Sequence, residues 1–140
     1  KKVKQSLSKH SADVFFFQEP TQAFIDELKA DKRFYVHEKG ADISMLLIRR
    51  NSFKKINDEA YLKSKLTEAE YNQLNWDGDT CFVVCDNYIL ISGHLSSKKE
   101  KNQKQVEEMK VSLNVMRQKC KDKEIVVGAD TNSFVTTVGI

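Results

Sequence analysis

Between residues 13 and 18 the chain reads Asp13-Val14-Phe15-Phe16-Phe17-Gln18, and no other stretch constrains the fold as much. A strand with one wet face alternates apolar and polar residues, whereas three consecutive phenylalanines behind a valine suit a strand covered on both faces. The run stops at Glu19-Pro20, because proline has no N–H to donate to a ladder. A covered strand therefore carries a carboxylate, Glu19, to its C-terminal end. Covering both faces of a sheet takes layers, and 140 residues with 40% hydrophobic side chains suffice for one such domain.

The remaining elements follow from changes of period. Residues 2–10 read as the end of an amphipathic helix, with Val3 and Leu7 on one face. Thr21 is placed to cap a helix whose Phe24, Ile25 and Leu28 share a face, and two strands, Phe34 to His37 and Ile43 to Arg49, flank a turn at Lys39-Gly40. Asp58 to Asn75 has a helical pattern with an internal cap at Thr67 and Glu70, ended by Asp77-Gly78. Thr80 to Cys85 and Tyr88 to Gly93 form a hairpin around Asp86-Asn87, residues that tolerate positive φ. Ser97-Lys98-Lys99-Glu100 reads as a capping box, and behind it Val106, Met109, Leu113, Met116 and Cys120 predict a long amphipathic helix with a Lys/Gln/Glu outer face. Glu124-Ile125-Val126-Val127-Gly128 is a last buried-type strand leading into Ala129-Asp130-Thr131-Asn132. The class is layered α/β.

Bulk properties exclude little. With 23 Lys and Arg against 20 Asp and Glu, the net charge of +3 does not announce a polyanion partner. No apolar run reaches the roughly 18 residues of a membrane span, so a soluble chain, intracellular in cytoplasm or nucleus, is the expectation. Cys81 and Cys85 lie four steps apart on one strand face, roughly 13 Å at ~3.3 Å per residue, beyond disulfide reach. Their spacing lacks the two-residue knuckle of zinc sites, and core packing is the better reading.

Three strands end in chemically capable residues: Glu19, His94, and the pair Asp130 and Asn132. Strand ends in α/β sheets are where sites are assembled, on loops held by a rigid scaffold. Taken singly, each is an ordinary turn residue. Their order and setting carry more. Gln18-Glu19-Pro20 behind the apolar run resembles the Gln-Glu motif of the endonuclease/exonuclease/phosphatase superfamily. Ile89-Leu90-Ile91-Ser92-Gly93-His94-Leu95-Ser96-Ser97 is similar to its internal His motif. Val126-Val127-Gly128-Ala129-Asp130-Thr131-Asn132-Ser133-Phe134 is similar to its Gly-Asp-x-Asn motif, with Ala129 inserted.

The resemblance implies half or more of a four-layered α/β sandwich, with a mixed β-sheet flanked by helices. It implies Mg²⁺, or Mn²⁺, held through Glu19. Asp130 would orient or deprotonate the attacking water, and Asn132 would hydrogen-bond a phosphate oxygen. His94 would bind the scissile phosphate or support the leaving group. These four should meet at one end of a single sheet. Residues 1–140 would form one partial domain lacking the family's first strand and its C-terminal portion, since no upstream Asn motif and no closing Asp-His pair is present; alone it would be inactive. Roughly one of the two sheets would be present, leaving an apolar face for the rest of the domain or a partner chain to cover.

The implied function is Mg²⁺-dependent hydrolysis of phosphodiester or phosphomonoester bonds, most readily of nucleic acid, by in-line attack of water. The alternative is a non-catalytic module of the same fold within a larger assembly. A flavodoxin-like binding domain would need an anion cradle after the first strand, which Glu19-Pro20-Thr21 does not provide. The basic runs at 49–55 and 98–104 are either phosphate contacts or solvated faces, and Trp76 and Tyr71 either stack a base or seal the core.

Overall fold

A computed structural model describes residues 12–74 and 79–132. The helix expected over residues 2–10, Trp76, the Asp77-Gly78 break and the Ser133-Phe134 end of the third motif lie outside them.

The apolar run forms β1 (Val14–Gln18). Thr21 Oγ1 accepts from Phe24 N and starts α1 (Gln22–Lys29). Next come β2 (Phe34–Glu38) and β3 (Ser44–Arg49). The single helical pattern after residue 58 resolves into α2 (Asp58–Lys65), capped by Asn57, and α3 (Glu68–Asn72), where the Thr67–Glu70 capping box forms in both directions. The hairpin is β4 (Thr80–Val84) and β5 (Tyr88–His94), closed by Cys85 N donating to Tyr88 O at 2.8 Å without positive φ at Asp86 or Asn87. α4 (Lys99–Lys119) then crosses over to β6 (Glu124–Asp130).

The strands make two sheets. One is antiparallel with order β1-β3-β2; the other is mixed, with order β4-β5-β6, β4 antiparallel and β6 parallel to β5. They pack face to face, β1 over β5 and β6, β3 over β4 and β5, β2 over β4. Period two divides β3 between two cores: Met45 and Leu47 pack with Ile25 and Leu28 of α1, while Leu46 and Ile48 meet Cys81, Val83, Cys85 and Leu90 between the sheets. The outer face of the second sheet, through Val84, Ile89 and Ile91, packs on Leu62 of α2 and on Val106, Met109, Leu113 and Met116 of α4. The result is four layers, helix, sheet, sheet, helix.

This architecture corrects two expectations. The described residues supply three strands to each of two sheets, so the inner faces cover one another and neither is the bare apolar face foreseen for a lone sheet. Two facing sheets with antiparallel pairs also exclude the flavodoxin-like alternative, which needs one doubly wound parallel sheet. Core packing is confirmed for all three cysteines, which are free and buried; burial pushes the Cys81 thiol up to about 12. Among the described residues no helix is long and apolar enough to cross a membrane.

Candidate active site

β1 hands its last ladder bond to Glu19, whose N–H donates to Ile43 O at 3.1 Å, and buried Pro20 ends the strand. Glu19 has φ 56°, and the other non-glycine residues with positive φ among those described are Asp42 (64°) and Asn132 (41°). Asp42 N donates to Pro20 O at 2.9 Å, so it sits against the Glu19 turn. Backbone strain of this kind costs of order 1 kcal/mol or more per residue and collects where side chains must be aimed. At Glu19 the result is a carboxylate that is 62% exposed at the strand end.

β5 and β6 run parallel in a register that pairs His94 with Asp130, and Leu95 N donates to Asp130 O at 2.9 Å. The two strands thus deliver imidazole and carboxylate side by side. His94 Nε2 lies 3.6 Å from Glu19 Oε1 and 3.9 Å from Asp130 Oδ2. Both separations exceed hydrogen-bond length, leaving the half-buried imidazole between two accessible carboxylates rather than locked to either. Asp130 Oδ1 accepts from Asn132 N at 3.1 Å, an Asx-type turn that leaves Oδ2 turned toward His94. Asn132 Nδ2 donates to Leu95 O at 2.9 Å and ties the two strand exits together.

All four residues singled out in the sequence therefore gather at one end of the molecule, with one correction. They do not share a single sheet: Glu19 comes from the antiparallel sheet and His94 and Asp130 from the mixed one, so the site spans the seam between the layers. The seam is pinned by Gln18, whose Nε2 donates to Ser92 Oγ (3.1 Å) and to Gly128 O (3.2 Å), while Ser92 Oγ donates to Phe17 O (3.2 Å). Gly128 is required there, because a Cβ would stand 2.3 Å from Phe16 Cγ.

A second correction concerns α4. The sequence predicts a Lys/Gln/Glu outer face for this helix, yet Gln105 is buried, as is Asn102. Asn102 Nδ2 donates to Ser96 O (2.9 Å) and to Thr131 O, joining the His94 loop to the Asp130 loop. Gln105 Oε1 accepts from Ser96 N (2.7 Å), and its Nε2 donates to Asp79 Oδ2 (3.2 Å), while Asp79 O accepts from His94 N (3.0 Å). The signal was present: Asn102 is four residues before Val106 and Gln105 four before Met109, on the inward stripe. These bonds hold the loop where the Ser97 capping box was expected. The helix starts instead at Lys99, with Lys98 as N-cap and no side-chain cap bond.

No protein-family model and no curated protein matches the sequence. Solved structures do. A humanized D. rerio TDP2 carrying 14 mutations superposes with a TM-score of 0.66 at 17% identity, over 94% of this chain and 54% of that one. D. rerio TDP2 complexed with a single-strand DNA product gives 0.66 at 18% identity, over 94% and 52%. The chain has the fold of these structures. It spans about half the length of the structures it matches. Within this fold two accessible carboxylates, an imidazole and a carboxamide meet across the sheet seam, a set of oxygen ligands and hydrogen-bonding groups facing one opening. Among the described residues no group of three His, Cys, Asp or Glu is arranged to enclose a metal.

Proposed function

We propose that this chain contributes the phosphate- and metal-binding part of a Mg²⁺-dependent phosphodiesterase acting on nucleic acid. The observation that carries the reading is the imidazole of His94 standing between two carboxylates from different sheets, 3.6 Å from Glu19 and 3.9 Å from Asp130. The donor set fits Mg²⁺, a hard cation that keeps much of its water and takes one or two carboxylates instead of a protein cage. Glu19 would hold it, and when bound it offsets charge on the phosphate and the leaving oxygen. Mn²⁺ would serve in the same place.

The protein groups divide the remaining work. Asp130, its Oδ1 fixed by the Asn132 amide, directs Oδ2 toward the site, where it can orient a water and accept its proton. His94 can donate from Nε2 to a phosphate oxygen or to the leaving group, within electrostatic reach of both carboxylates. Asn132 spends one Nδ2 hydrogen on Leu95 O, and the second serves a phosphate oxygen. Hydrolysis adds the elements of water across the P–O bond: water oxygen joins phosphorus, and the leaving oxygen departs with a proton.

Nucleic acid is the substrate class for two reasons. D. rerio TDP2, which shares the fold, was crystallised with single-strand DNA product. Here Lys98 at the N-cap and Lys99 and Lys101 in the first turn of α4 lie a short loop beyond His94. On the same reading residues 1–140 would be part of a larger domain, which their spanning about half of the matched structures supports, and the intact protein would act in the cytoplasm or nucleus. The test is Mg²⁺-dependent hydrolysis of a generic phosphodiester and of single-stranded DNA by the intact protein, beside a Glu19→Ala, Asp130→Ala double variant. Activity present in the wild type and lost in the variant supports the reading. An inactive wild type across substrates would instead indicate a non-catalytic module.

A further inference from the structure

A second concentration of charge lies at the opposite end of the antiparallel sheet. Phe34 of β2 pairs with Arg49 of β3, and Arg50 N donates to Arg33 O at 2.9 Å, so the approach to β2 and the exit from β3 close on one another. Between them is an open hollow of about 410 Å³ lined by Lys32, Arg33, Arg49, Arg50 and Asn51. Along the sequence alone, the solvated face is the better reading of Arg49-Arg50. The fold brings a second basic pair to it and makes the surface concave.

The arginines are fixed in place. Arg33 grips Asp31 with two donors, Nε at 3.0 Å and one terminal nitrogen at 2.7 Å, and its guanidinium carbon is 5.3 Å from the Phe34 ring centre. Arg49 lies 5.3 Å from the same ring centre, and its Nε and a terminal nitrogen donate to Ala12 O at 3.4 and 3.2 Å. Arg50 stacks over Tyr35 at 4.2 Å. Guanidiniums held by rings and acids have lost much of their rotamer freedom before any ligand arrives, and their planar forks match the oxygens of a phosphate. Asp31 at 2.7 Å from Arg33 and Asp13 at 3.8 Å from Arg49 offset two of the four cations, and the positive charge of Lys32 and Arg50 that is left favours an anion in the hollow.

We propose that Lys32, Arg33, Arg49 and Arg50 form a binding site for a phosphate dianion, free or as the phosphate of a small ester. β1 separates it from Glu19 by roughly 17 Å, at ~3.4 Å per residue, so it fills independently of the candidate active site. A hollow in the size range of small-molecule pockets has room for the esterified group beside the phosphate. The inference stands apart from the catalytic reading: either can fail without the other.

The experiment follows the arginine Nε–H and Tyr35 ring resonances of the intact protein by NMR, in metal-free buffer at ionic strength held constant with chloride. Inorganic phosphate and ribose 5-phosphate are titrated separately. Expected are saturable shifts at Arg33, Arg49, Arg50 and Tyr35, with affinity at least about tenfold weaker in Arg50→Ala and in Lys32→Ala, both at exposed positions. Glu19→Ala should leave these shifts unchanged. Tighter binding of the sugar phosphate identifies an ester ligand, and equal binding identifies the free ion. Shifts that never saturate, that chloride reproduces, or whose affinity is unchanged in Arg50→Ala would overturn the assignment.

Discussion

Replacing Gly128 by alanine tests how closely the two sheets approach beside the site. The added Cβ would lie 2.3 Å from Phe16 Cγ, 2.5 Å from Phe16 Cβ and 2.8 Å from Phe16 Cδ1. Carbon atoms in contact sit ~3.5–4.0 Å apart, so each separation is about 1 Å too short. Turning the Phe16 ring relieves the first and third contacts. It does not relieve the second, because Cβ does not move with χ1, so β1 and β6 must part. Overpacking costs about 1–3 kcal/mol, and backbone movement puts this case at the upper end. Parting the strands also stretches the 3.2 Å bond from Gln18 Nε2 to Gly128 O, about 1 kcal/mol more. Alanine returns about 0.5–1 kcal/mol through lower unfolded-state entropy. The expected loss is about 3–3.5 kcal/mol, read as a lower urea midpoint at unchanged slope. In a Phe16→Ala background the penalty should shrink but persist, since only the ring contacts are gone. A loss below about 0.5 kcal/mol, or equal penalties in both backgrounds, would refute the reasoning.

Two further outcomes follow from the same geometry. Gln18→Met keeps the bulk and removes both donated bonds, with an expected loss of about 1–2 kcal/mol and non-additivity with Ser92→Ala in a double-mutant cycle. His37 is held below the ordinary imidazole value of 6.5 by burial first and nearby Lys55 second, opposed by Asp58 and Glu38. Its folded form resists protonation, so the stability it contributes is fully present above pH 6.5 and declines as pH falls below that value. His37→Gln should flatten the pH dependence of the urea midpoint between about pH 6.5 and 5, and an unchanged slope there would count against it.

Much of this was legible in the chain because the deciding signals are local. The phenylalanine run meets α1 on one face and the second sheet on the other, though all of β1 is half-buried rather than fully covered, and Thr21 and Thr67 cap helices through their own hydroxyls. Glu19, His94, Asp130 and Asn132 stand out because each lies at or just past the end of an apolar run, and they meet because β1, β5 and β6 end at the same pole, whereas β3 ends with Arg49 at the other. Sheet membership was not legible: β1 and β5 look alike along the sequence, and only long-range pairing assigns them to different layers. The roles of Asn102 and Gln105 were missed for a different reason. Polar residues on a helix are read as wet by default, and the structure buries these two where loop carbonyls, an amide and a carboxylate need partners. The ring-stacked arginines at the far pole likewise depend on β2 and β3 pairing.

In the proposed function Glu19 holds the metal at the seam. The most direct measurement is the Mg²⁺ concentration giving half-maximal hydrolysis of single-stranded DNA by the intact protein, in wild type and in Glu19→Gln. Loss of a metal-binding carboxylate is expected to raise that concentration at least about tenfold, with partial recovery of rate at high Mg²⁺. An unchanged Mg²⁺ requirement, or hydrolysis that proceeds equally well in a chelator, would contradict the assignment.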